Sequence, residues 1–272
     1  MALDVETPGL DRARGVQTPP SWRALGYWAY SYKRTWRGSV ATSFLIPVLY
    51  LAAMGVGLGS LVDQHSHTVD HVRYLYFLAP GLLASTAMQI GTNEATYPVM
   101  GAIKWIRTYF AMLATPLSVN NVLLGTLSWI AIRLTLVSAI YLCVLTGFGA
   151  ALSPLAVLAL PAAVLTGLAF SAPIAAFAAT VQNDTWFSSI YRFGVVPLFL
   201  FSGTFFPVTQ LPAGLRPVAY ATPLYHGVTL CREFVLGQVD WAQVPVHAGY
   251  LIVLVVGGYL VARKTFRHRL IT

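Results

Sequence analysis

The chain has 272 residues, of which 57% are hydrophobic and only 10% are charged, and its mean hydropathy is +0.66. Soluble domains carry about 25% charged residues, so this composition excludes a water-soluble globular protein. Long apolar segments recur from Ser39 onwards, and several approach the roughly 20 residues that a helix needs to cross a bilayer core. Because only helices and closed barrels can span a membrane, these segments predict an all-α, polytopic membrane protein.

The N-terminal region divides into two parts by composition. Residues 1–20 combine several prolines with charges of both signs and predict a disordered cytoplasmic tail. Residues 21–38 mix aromatic and basic side chains, which is typical of an amphipathic helix that lies in the headgroup layer of the inner leaflet. The alternative is an ordinary aromatic belt with orienting charges at the start of the first span.

Hydropathy predicts six transmembrane spans. They cover about 39–60, 74–93, 121–147, 153–181, 187–207 and 244–262. An even number of spans places both termini on one side of the membrane. Thirteen of the 17 Lys and Arg residues fall on that side, three fall on the other, and Arg133 lies inside a span. The positive-inside rule therefore predicts a multi-pass membrane protein with both termini in the cytoplasm. This asymmetry accounts for the net charge of +8 without a nucleic-acid partner.

The glycine-rich stretch GVGLGS, residues 55–60, is not a nucleotide-binding motif. A phosphate-binding loop needs a preceding strand and a following Lys with Ser or Thr, and this stretch lacks the strand and the Lys. No other segment of the sequence supplies such a motif. We therefore expect the chain to bind no cofactor and to leave any ATP hydrolysis to a separate polypeptide.

Two charged residues in or beside the predicted spans are candidates for a functional role. Arg133 lies well inside the third span, where an unpaired arginine costs at least about 2.5 kcal/mol, and Glu94 ends the second span. At 1.5 Å per residue, Arg133 is roughly 18 Å along the helix from Asn121, so a direct pair with Glu94 would need a long reach. Two interpretations stay open. Arg133 lines a polar cleft or binds an anionic group, or it makes a structural contact with neighbouring hydroxyls or carbonyls.

The loop between the second and third spans is too apolar for a free linker. It runs from Thr96 to Asn121 and is interrupted by Pro98, Gly101 and Pro116. Its basic and aromatic side chains predict a short helix at the membrane surface that can contact a partner protein. These side chains are Lys104, Trp105, Arg107, Tyr109 and Phe110.

A proline-interrupted stretch follows the fifth span. It reads FSGTFFPVTQLPAGLRPVAYATPLYHGVTLCREFVLG from Phe201 to Gly237. Apolar residues recur throughout it, but it cannot continue as one helix because proline interrupts the hydrogen-bond ladder. The interrupting residues are Pro207, Pro212, Pro217 and Pro223.

The order of these segments resembles the membrane subunits of ABC-2 type exporters, especially the branch that includes nodulation-factor (lipo-oligosaccharide) exporters and daunorubicin-type drug-resistance permeases. The resemblance covers nearly the whole chain after about Ser21, so it implies one ABC-2 type transmembrane domain over residues 21–272. It rests on Glu94, on LATPLS at residues 113–118, and on the 201–237 stretch. The matching positions in that stretch are Ser202-Gly203, Phe206-Pro207, Leu211-Pro212, Pro223-Leu224, His226, Arg232 and Gly237.

The resemblance implies two functional elements. The stretch after the fifth span would be a reentrant helical hairpin on the external side, over the exit of a channel; a simple amphipathic loop is the alternative. Its expected residues are Phe206, Pro207, Pro212, Pro223, His226 and Arg232. The loop 97–118 would be a coupling helix that docks on a cytosolic ATP-binding subunit. Its expected contact residues are Lys104, Trp105, Arg107, Tyr109 and Met112.

The resemblance also implies a function. The chain would be a non-catalytic permease subunit that exports an amphipathic substrate, either a drug or antibiotic or a lipid-linked glycan. Arg133 and Glu94 would be intramembrane polar groups on or near the translocation path. Its expected partners are two ATP-binding subunits that carry ATP and Mg, a second copy of the chain or a homologous permease, and membrane lipid.

An ion-coupled secondary transporter is the alternative function. It would require inverted repeats and several ionisable residues at the midplane of the membrane. The sequence shows no convincing repeat, and only Arg133 lies deep in a predicted span. A membrane-embedded enzyme would require His, Asp, Glu or Cys at catalytic spacing, and no such set is found in the sequence.

The charge asymmetry generates a testable topology. Cysteines introduced beside Arg14 and Arg267 should not react with a membrane-impermeant thiol reagent added to intact cells, because both positions are predicted to be cytoplasmic. Cysteines at Ser66 and Ala213 should react, because these positions are predicted to be external. Labelling of both terminal positions from outside would refute the six-span topology.

Overall fold

The computed structural model describes residues 20–34, 36–58 and 72–271. Within these ranges the regular structure is helical and contains no strand, which confirms the predicted all-α class. The predicted tail over residues 1–20 lies outside the described residues except for Pro20, which begins the first helix.

Eleven helices follow one another along the described residues. They are α1 (Pro20–Tyr32), α2 (Trp36–Tyr50), α3 (Tyr74–Ala95), α4 (Tyr97–Met100), α5 (Thr108–Leu113), α6 (Val119–Gly147), α7 (Ala159–Thr180), α8 (Thr185–Phe201), α9 (Arg216–Tyr220), α10 (Pro223–Leu236) and α11 (Val244–Ile271). Wider π-helical turns extend α2 over Leu51–Leu58 and α4 over Gly101–Trp105, and tighter 3₁₀ turns form at Pro154–Leu158 and Val208–Gln210.

Four helical segments in the described part of the chain are long and apolar enough to cross a membrane. They are Trp36–Met54, Val119–Gly147, Pro154–Thr180 and Val244–Ile271, and they support a multi-pass membrane protein. Helix α3 has 22 residues and occupies the second predicted span. Helix α8 occupies the fifth and is a shorter apolar helix. The count of six spans depends on these two helices and stays a prediction.

The boundaries of two predicted segments differ from the sequence-based expectation. The predicted interfacial helix over 21–38 is divided, because α1 ends at Tyr32 and α2 begins at Trp36. Helix α11 continues to Ile271, past the predicted end at 262, so the basic residues expected in a tail lie on a helix. Hydropathy alone ends a span where charges begin, but positively charged side chains near a helix C-terminus interact favourably with the helix dipole and let the helix continue.

Helix α7 lies at the centre of the bundle, where α3, α6, α10 and α11 pack against it. Its buried residues are mostly small and include nine alanines and Gly167. Small side chains let helix backbones approach closely, which favours helix association where the hydrophobic effect between helices is absent. The alanine-rich sequence of α7 therefore explains why it can have so many neighbours.

Glycines of three neighbouring helices make the closest contacts with α7. A Cβ added at Gly91 of α3 would collide with the backbone of Gly167, and one added at Gly227 of α10 would collide with the side chain of Thr166. A Cβ added at Gly258 of α11 would lie 2.6 Å from the ring of Pro173. At these three positions only glycine fits without displacement of a neighbouring helix.

Two adjacent glycines of α11 give a matched test of this packing. Gly258→Ala should destabilise the protein by about 1–3 kcal/mol, the usual cost of overpacking, because the new methyl group meets Pro173. Gly257→Ala should leave stability unchanged or raise it, because its methyl group would meet nothing within 4 Å and alanine favours helix. Thermal unfolding of both variants in detergent is the measurement. Equal unfolding temperatures would contradict the proposed close contact.

Candidate functional site

Residues 97–118 form two short helices joined by a sharp reversal. Helix α4 continues in π-helical turns as far as Trp105, and α5 begins at Thr108. Between them Arg107 adopts a left-handed conformation with φ of 57°, which is uncommon for a residue other than glycine. The reversal places four consecutive residues at an exposed end of the segment. These residues, called the tip below, are Lys104, Trp105, Ile106 and Arg107.

The tip exposes large apolar side chains. Trp105 is 55% exposed and Ile106 is 74% exposed. Lys104 donates a hydrogen bond from Nζ to the carbonyl oxygen of Gln182 at 2.7 Å. The guanidinium of Arg107 lies 5.9 Å from the centre of the Phe110 ring. The tip thus combines an apolar surface with positive charge, the combination that suits contact with another protein.

Tyr109 and Met112, by contrast, are buried within the subunit. The hydroxyl of Tyr109 forms a hydrogen bond with the hydroxyl of Thr126 in α6 at 3.0 Å. Its ring centre lies 6.4 Å from that of Trp28 in α1 and 5.7 Å from that of Phe266 in α11. Burial raises the pKa of Tyr109 above its ordinary value, so the side chain is a neutral hydrogen-bonding group.

The expectation that all five loop residues contact a partner is therefore corrected for two of them. Tyr109 and Met112 face inward because α5 packs its apolar side against α6, and a buried side chain cannot meet a second protein. The sequence pattern showed an apolar loop with basic residues, but it did not show which aromatic faced the interior. Ile106, which the sequence analysis did not select, lies at the exposed tip.

The loop between α7 and α8 joins the tip to the end of α11. Besides accepting the hydrogen bond from Lys104, Gln182 accepts one through Oε1 from the guanidinium of Arg269 at 3.0 Å. Trp186, at the start of α8, is exposed beside this loop. Residues 97–118, the loop at 181–184 and the end of α11 therefore lie at one end of the molecule. Neither Gln182 nor Trp186 was selected from the sequence, because neither belongs to a recognisable pattern.

Glu94 and Arg133 form a direct ion pair. Arg133 Nε donates to Glu94 Oε1 at 3.2 Å, and the two side chains are 14% and 21% exposed. The guanidinium also lies 4.6 Å from the centre of the Tyr32 ring of α1. The estimate that a direct pair would need a long reach is therefore wrong.

The error came from the depth in the membrane that was assigned to the start of the third span. Thr126 lies beside α5, as its hydrogen bond with Tyr109 shows. The first turns of α6 are therefore at the same depth as the short helices α4 and α5. Arg133 is seven residues further along, or about 10 Å, and Glu94 at the end of α3 comes to the same level. A neighbouring carboxylate compensates an arginine at such depth.

Helix α1 packs against this same region. Ala24 of α1 is buried, and the rings of Tyr32 and Trp129 meet edge to face with centres 5.4 Å apart. The hydroxyls of Tyr27 and Thr108 lie 3.4 Å apart. One side of α1 therefore contacts both α5 and α6, while Trp22 and Tyr30 remain exposed.

Residues 202–237, called the hairpin below, lie at the end of the molecule opposite the tip. Helix α10 runs antiparallel to α7: Gly227 packs against Thr166, the thiol of Cys231 lies 3.7 Å from the carbonyl oxygen of Ala159, and Gly237 meets Ser153. Helix α10 therefore begins beside the interior turns of α7 and ends level with the residues that precede α7. With 14 residues, or about 21 Å at 1.5 Å per residue, it is shorter than the long helices around it.

Arg232 fixes the hairpin to the rest of the bundle. Its guanidinium donates hydrogen bonds to the carbonyl oxygens of Phe77, at 3.2 and 3.3 Å, and of Gly203, at 2.8 Å. It also lies 3.8 Å from the centre of the Phe77 ring. Nearby, the hydroxyls of Thr204 and Ser85 are 2.8 Å apart. One charged side chain thus joins α10, the start of the hairpin and α3.

Three of the four prolines of the hairpin stand where helical turns begin. Pro223 is the first residue of α10, and the side chain of Thr222 caps that helix by accepting from the amide of Tyr225. Pro207 precedes the 3₁₀ turn Val208–Gln210, and Pro217 follows the first residue of α9. Proline is favoured in the first turn because its missing N–H has no intrahelical partner there. Pro212 lies between the 3₁₀ turn and α9. Phe206 packs on a small cluster of Val208, Leu211 and Ala219.

His226 joins the hairpin to α11. Its Nδ1 lies 2.6 Å from Nδ1 of His247, and its ring stacks on that of Tyr250 with centres 4.1 Å apart. This contact was not predicted, because the two histidines are 21 residues apart and in different segments. The described residues contain no group of three or more His, Cys, Asp or Glu side chains that could hold a metal ion.

Comparison with known proteins gives one consistent result. The sequence family described as "ABC-2 type transporter" matches residues 26–236. Nodulation protein J of Rhizobium leguminosarum bv. viciae is 33% identical over 270 residues, which cover 94% of this chain and 99% of that protein. Nodulation protein J of Rhizobium leguminosarum bv. trifolii is 32% identical over 257 residues, covering 92% of this chain and 94% of that protein. The counterpart in Rhizobium meliloti (strain 1021) is 29% identical over 259 residues, with coverage of 92% and 94%.

The ion pair gives a prediction about stability. Arg133→Ala should destabilise the protein by about 1–3 kcal/mol, less than the 3–5 kcal/mol typical of a fully buried pair, because both side chains are partly exposed. Arg133→Lys should restore only part of the loss, since lysine lacks the planar guanidinium that contacts Tyr32. Thermal unfolding in detergent is the measurement.

The double variant Glu94→Gln with Arg133→Ala serves as the control. It should be destabilised by less than the sum of the two single variants, because it leaves no uncompensated charge. Additive losses would mean that the two side chains do not interact.

Proposed function

Because the chain belongs to the ABC-2 type transporter family, we propose that it is the transmembrane permease subunit of an ATP-driven exporter. The observation that carries this proposal is the family match over residues 26–236, together with relatives that align along nearly the whole chain. The family implies association with an ABC ATP-binding subunit, which would carry ATP and Mg. The permease itself would be non-catalytic and would transmit movement.

The exposed tip is the proposed contact with the ATP-binding subunit. Trp105 and Ile106 are the apolar anchors, because they are the most exposed large apolar side chains of the segment. Arg107 supplies charge that orients the contact, and Lys104 holds the tip to Gln182. Tyr109 and Met112 act from inside, by keeping α5 attached to α6. One ATP-binding subunit would dock on each of two permease chains, which are copies of this chain or a pair of homologues.

The proposed topology has six spans, with α3 and α8 completing the four longer helices and with both termini in the cytoplasm. In this arrangement the tip is cytoplasmic and the hairpin is external. The hairpin would be reentrant, because α10 begins beside the interior turns of α7 and ends beside the residues that precede α7. Irregular backbone at membrane depth is tolerated where it is buried in protein, and the polar contacts of Arg232 and Thr204 bury it here. The hairpin would then cover the exit of a path between two permeases.

The proposed substrate is amphipathic, either a drug or antibiotic or a lipid-linked glycan, taken from the cytoplasm or the inner leaflet. Glu94 and Arg133 are proposed to lie beside the path. Ion-coupled transport is less well supported, because Arg133, the charge predicted deepest in a span, is compensated by Glu94.

Trp105→Ala tests the proposed coupling. If Trp105 is a central anchor, its truncation should cost about 2 kcal/mol of association, or roughly a thirtyfold weaker complex. The measurement is copurification of the ATP-binding subunit with the permease in detergent, together with transport. Trp241→Ala is the matched control, because Trp241 is 61% exposed but lies between α10 and α11, on the predicted external side. Equal copurification of both variants with the wild type would place the docking surface elsewhere, for example at Trp186.

A further inference from the structure

A cavity of about 290 Å³ lies between α2, α3, α6 and α8. Its walls are formed by side chains from four separate helices. Those that matter here are Tyr50 of α2, Thr86, Gln89 and Asn93 of α3, Arg133 and Tyr141 of α6, and Phe199 of α8. A volume of this size approaches the lower limit of about 300 Å³ for small-molecule sites. It can hold one small ring or headgroup, with apolar surface beside it.

The polar side chains of the cavity follow helical spacing. Thr86, Gln89 and Asn93 are three and four residues apart, so they share one face of α3. Arg133 and Tyr141 are eight residues apart and share a face of α6. In a chain with 57% hydrophobic residues, a polar face of α3 opposite Arg133 and Tyr141 is an arrangement that suits a binding site. Leu82, Ile90 and Phe199 supply the apolar surface between them.

Tyr141 gives the strongest indication of a ligand. Its side chain is 1% exposed, and its hydroxyl has no hydrogen-bond partner among the residues that the structure describes. Buried hydroxyls are nearly always paired, because losing the hydrogen bonds to water is costly. Tyr141 lines the cavity, but less than 1 Å² of its hydroxyl is accessible, so a group that enters the cavity would pair with this hydroxyl after a small rotation of the tyrosine side chain.

The charges around the cavity define the class of ligand. Among the residues that the structure describes, Arg133 is the only charged side chain in the lining, and it is paired with Glu94, so the cavity has little net charge. An anionic headgroup would have to compete with Glu94 for the guanidinium, and a cationic headgroup would meet the like charge of Arg133. The hydroxyls and the amides of Gln89 and Asn93 each provide donors and acceptors. These groups suit an uncharged polar group that carries hydroxyls or amides.

We propose that this cavity binds the uncharged, hydroxyl- or amide-bearing head of an amphipathic molecule, with Tyr141 as the deep hydrogen-bonding residue. The proposal rests on the proposed export function and narrows its substrate class. It also revises the sequence-based interpretation of Arg133 as the binding group for an anion. Arg133 closes the end of the cavity nearest to Glu94, and Tyr141 lies about 12 Å further along α6 at 1.5 Å per residue.

Protection of an introduced cysteine tests the proposal on the full-length permease alone. The background is Cys143→Ser, because native Cys143 is exposed while Cys231 is buried. Ile90→Cys then places a thiol on the cavity wall. The protein is reconstituted in lipid nanodiscs, and the rate of reaction of this thiol with N-ethylmaleimide is measured at increasing concentrations of an amphiphile. Three amphiphiles of equal chain length are compared, each below its critical micelle concentration. The probes are octyl glucoside, octyl sulfate and octyltrimethylammonium.

Octyl glucoside should slow the reaction at lower concentration than either charged probe. Tyr141→Phe should raise its half-protecting concentration about fivefold, the effect of one lost hydrogen bond. Tyr191→Phe is the matched control. It also removes a buried hydroxyl with no partner among the described residues, but Tyr191 lies outside the cavity lining, so protection should not change.

Stronger protection by octyl sulfate, or an unchanged response of Tyr141→Phe, would overturn the proposal. Failure of all three probes to protect would also overturn it. Because the test requires no ATP-binding subunit, such a failure would leave the proposed exporter function in place. Failure of the copurification experiment would not affect the binding result.

Discussion

Close packing on α7 is the constraint on which the rest of the fold depends. Helices in a membrane cannot gain from hydrophobic burial against one another, so their association relies on van der Waals contact and interhelical hydrogen bonds. Helix α7 satisfies this requirement with alanines and Gly167, and its neighbours present Gly91, Gly227 and Gly258 at the points of closest approach. Each of these glycines lies in a different helix. The positions of α3, α10 and α11 are therefore set by one shared partner.

The position of the hairpin follows from this packing. Gly227 sets how closely α10 approaches α7, and Arg232, one turn beyond it, then reaches the carbonyl oxygens of Phe77 and Gly203. Hydrogen bonds from a charged donor contribute roughly 1.5–3 kcal/mol each, enough to hold an irregular segment whose backbone lacks a complete helical ladder. Because the same arginine contacts α3 and the hairpin, a displacement of either one must strain or break its bonds.

The sequence predicted composition-dependent features well and contact-dependent features poorly. The helical class, the long apolar helices and the breaks at Pro207 and Pro223 follow from local chemistry, which acts on a few neighbouring residues. The Glu94–Arg133 pair was missed because its geometry depends on how deep α6 starts, which no local pattern encodes. The burial of Tyr109 was missed for a similar reason: an aromatic residue in an apolar loop suits either a partner or the interior, and only the packing of α5 decides. The site at Tyr141 had no signal in the sequence, since a tyrosine in an apolar helix is ordinary.

The buried aromatics show how movement at the tip could reach the cavity under the proposed function. Tyr109 lies just beyond the tip and contacts Trp28 of α1, Thr126 of α6 and Phe266 of α11. Tyr32, further along α1, contacts Trp129 and the guanidinium of Arg133, and Arg133 closes one end of the cavity.

Contact between side chains is continuous over this distance, but continuity alone does not establish coupling. Along these contacts the least restrained helix is α1, since only one of its sides is packed. A shift of α1 would remove Tyr32 from Arg133, weaken the compensation of its charge and change the polarity of the cavity. Force at the tip would in this way alter the affinity of the cavity for an uncharged headgroup, which is the requirement for coupling ATP hydrolysis to release.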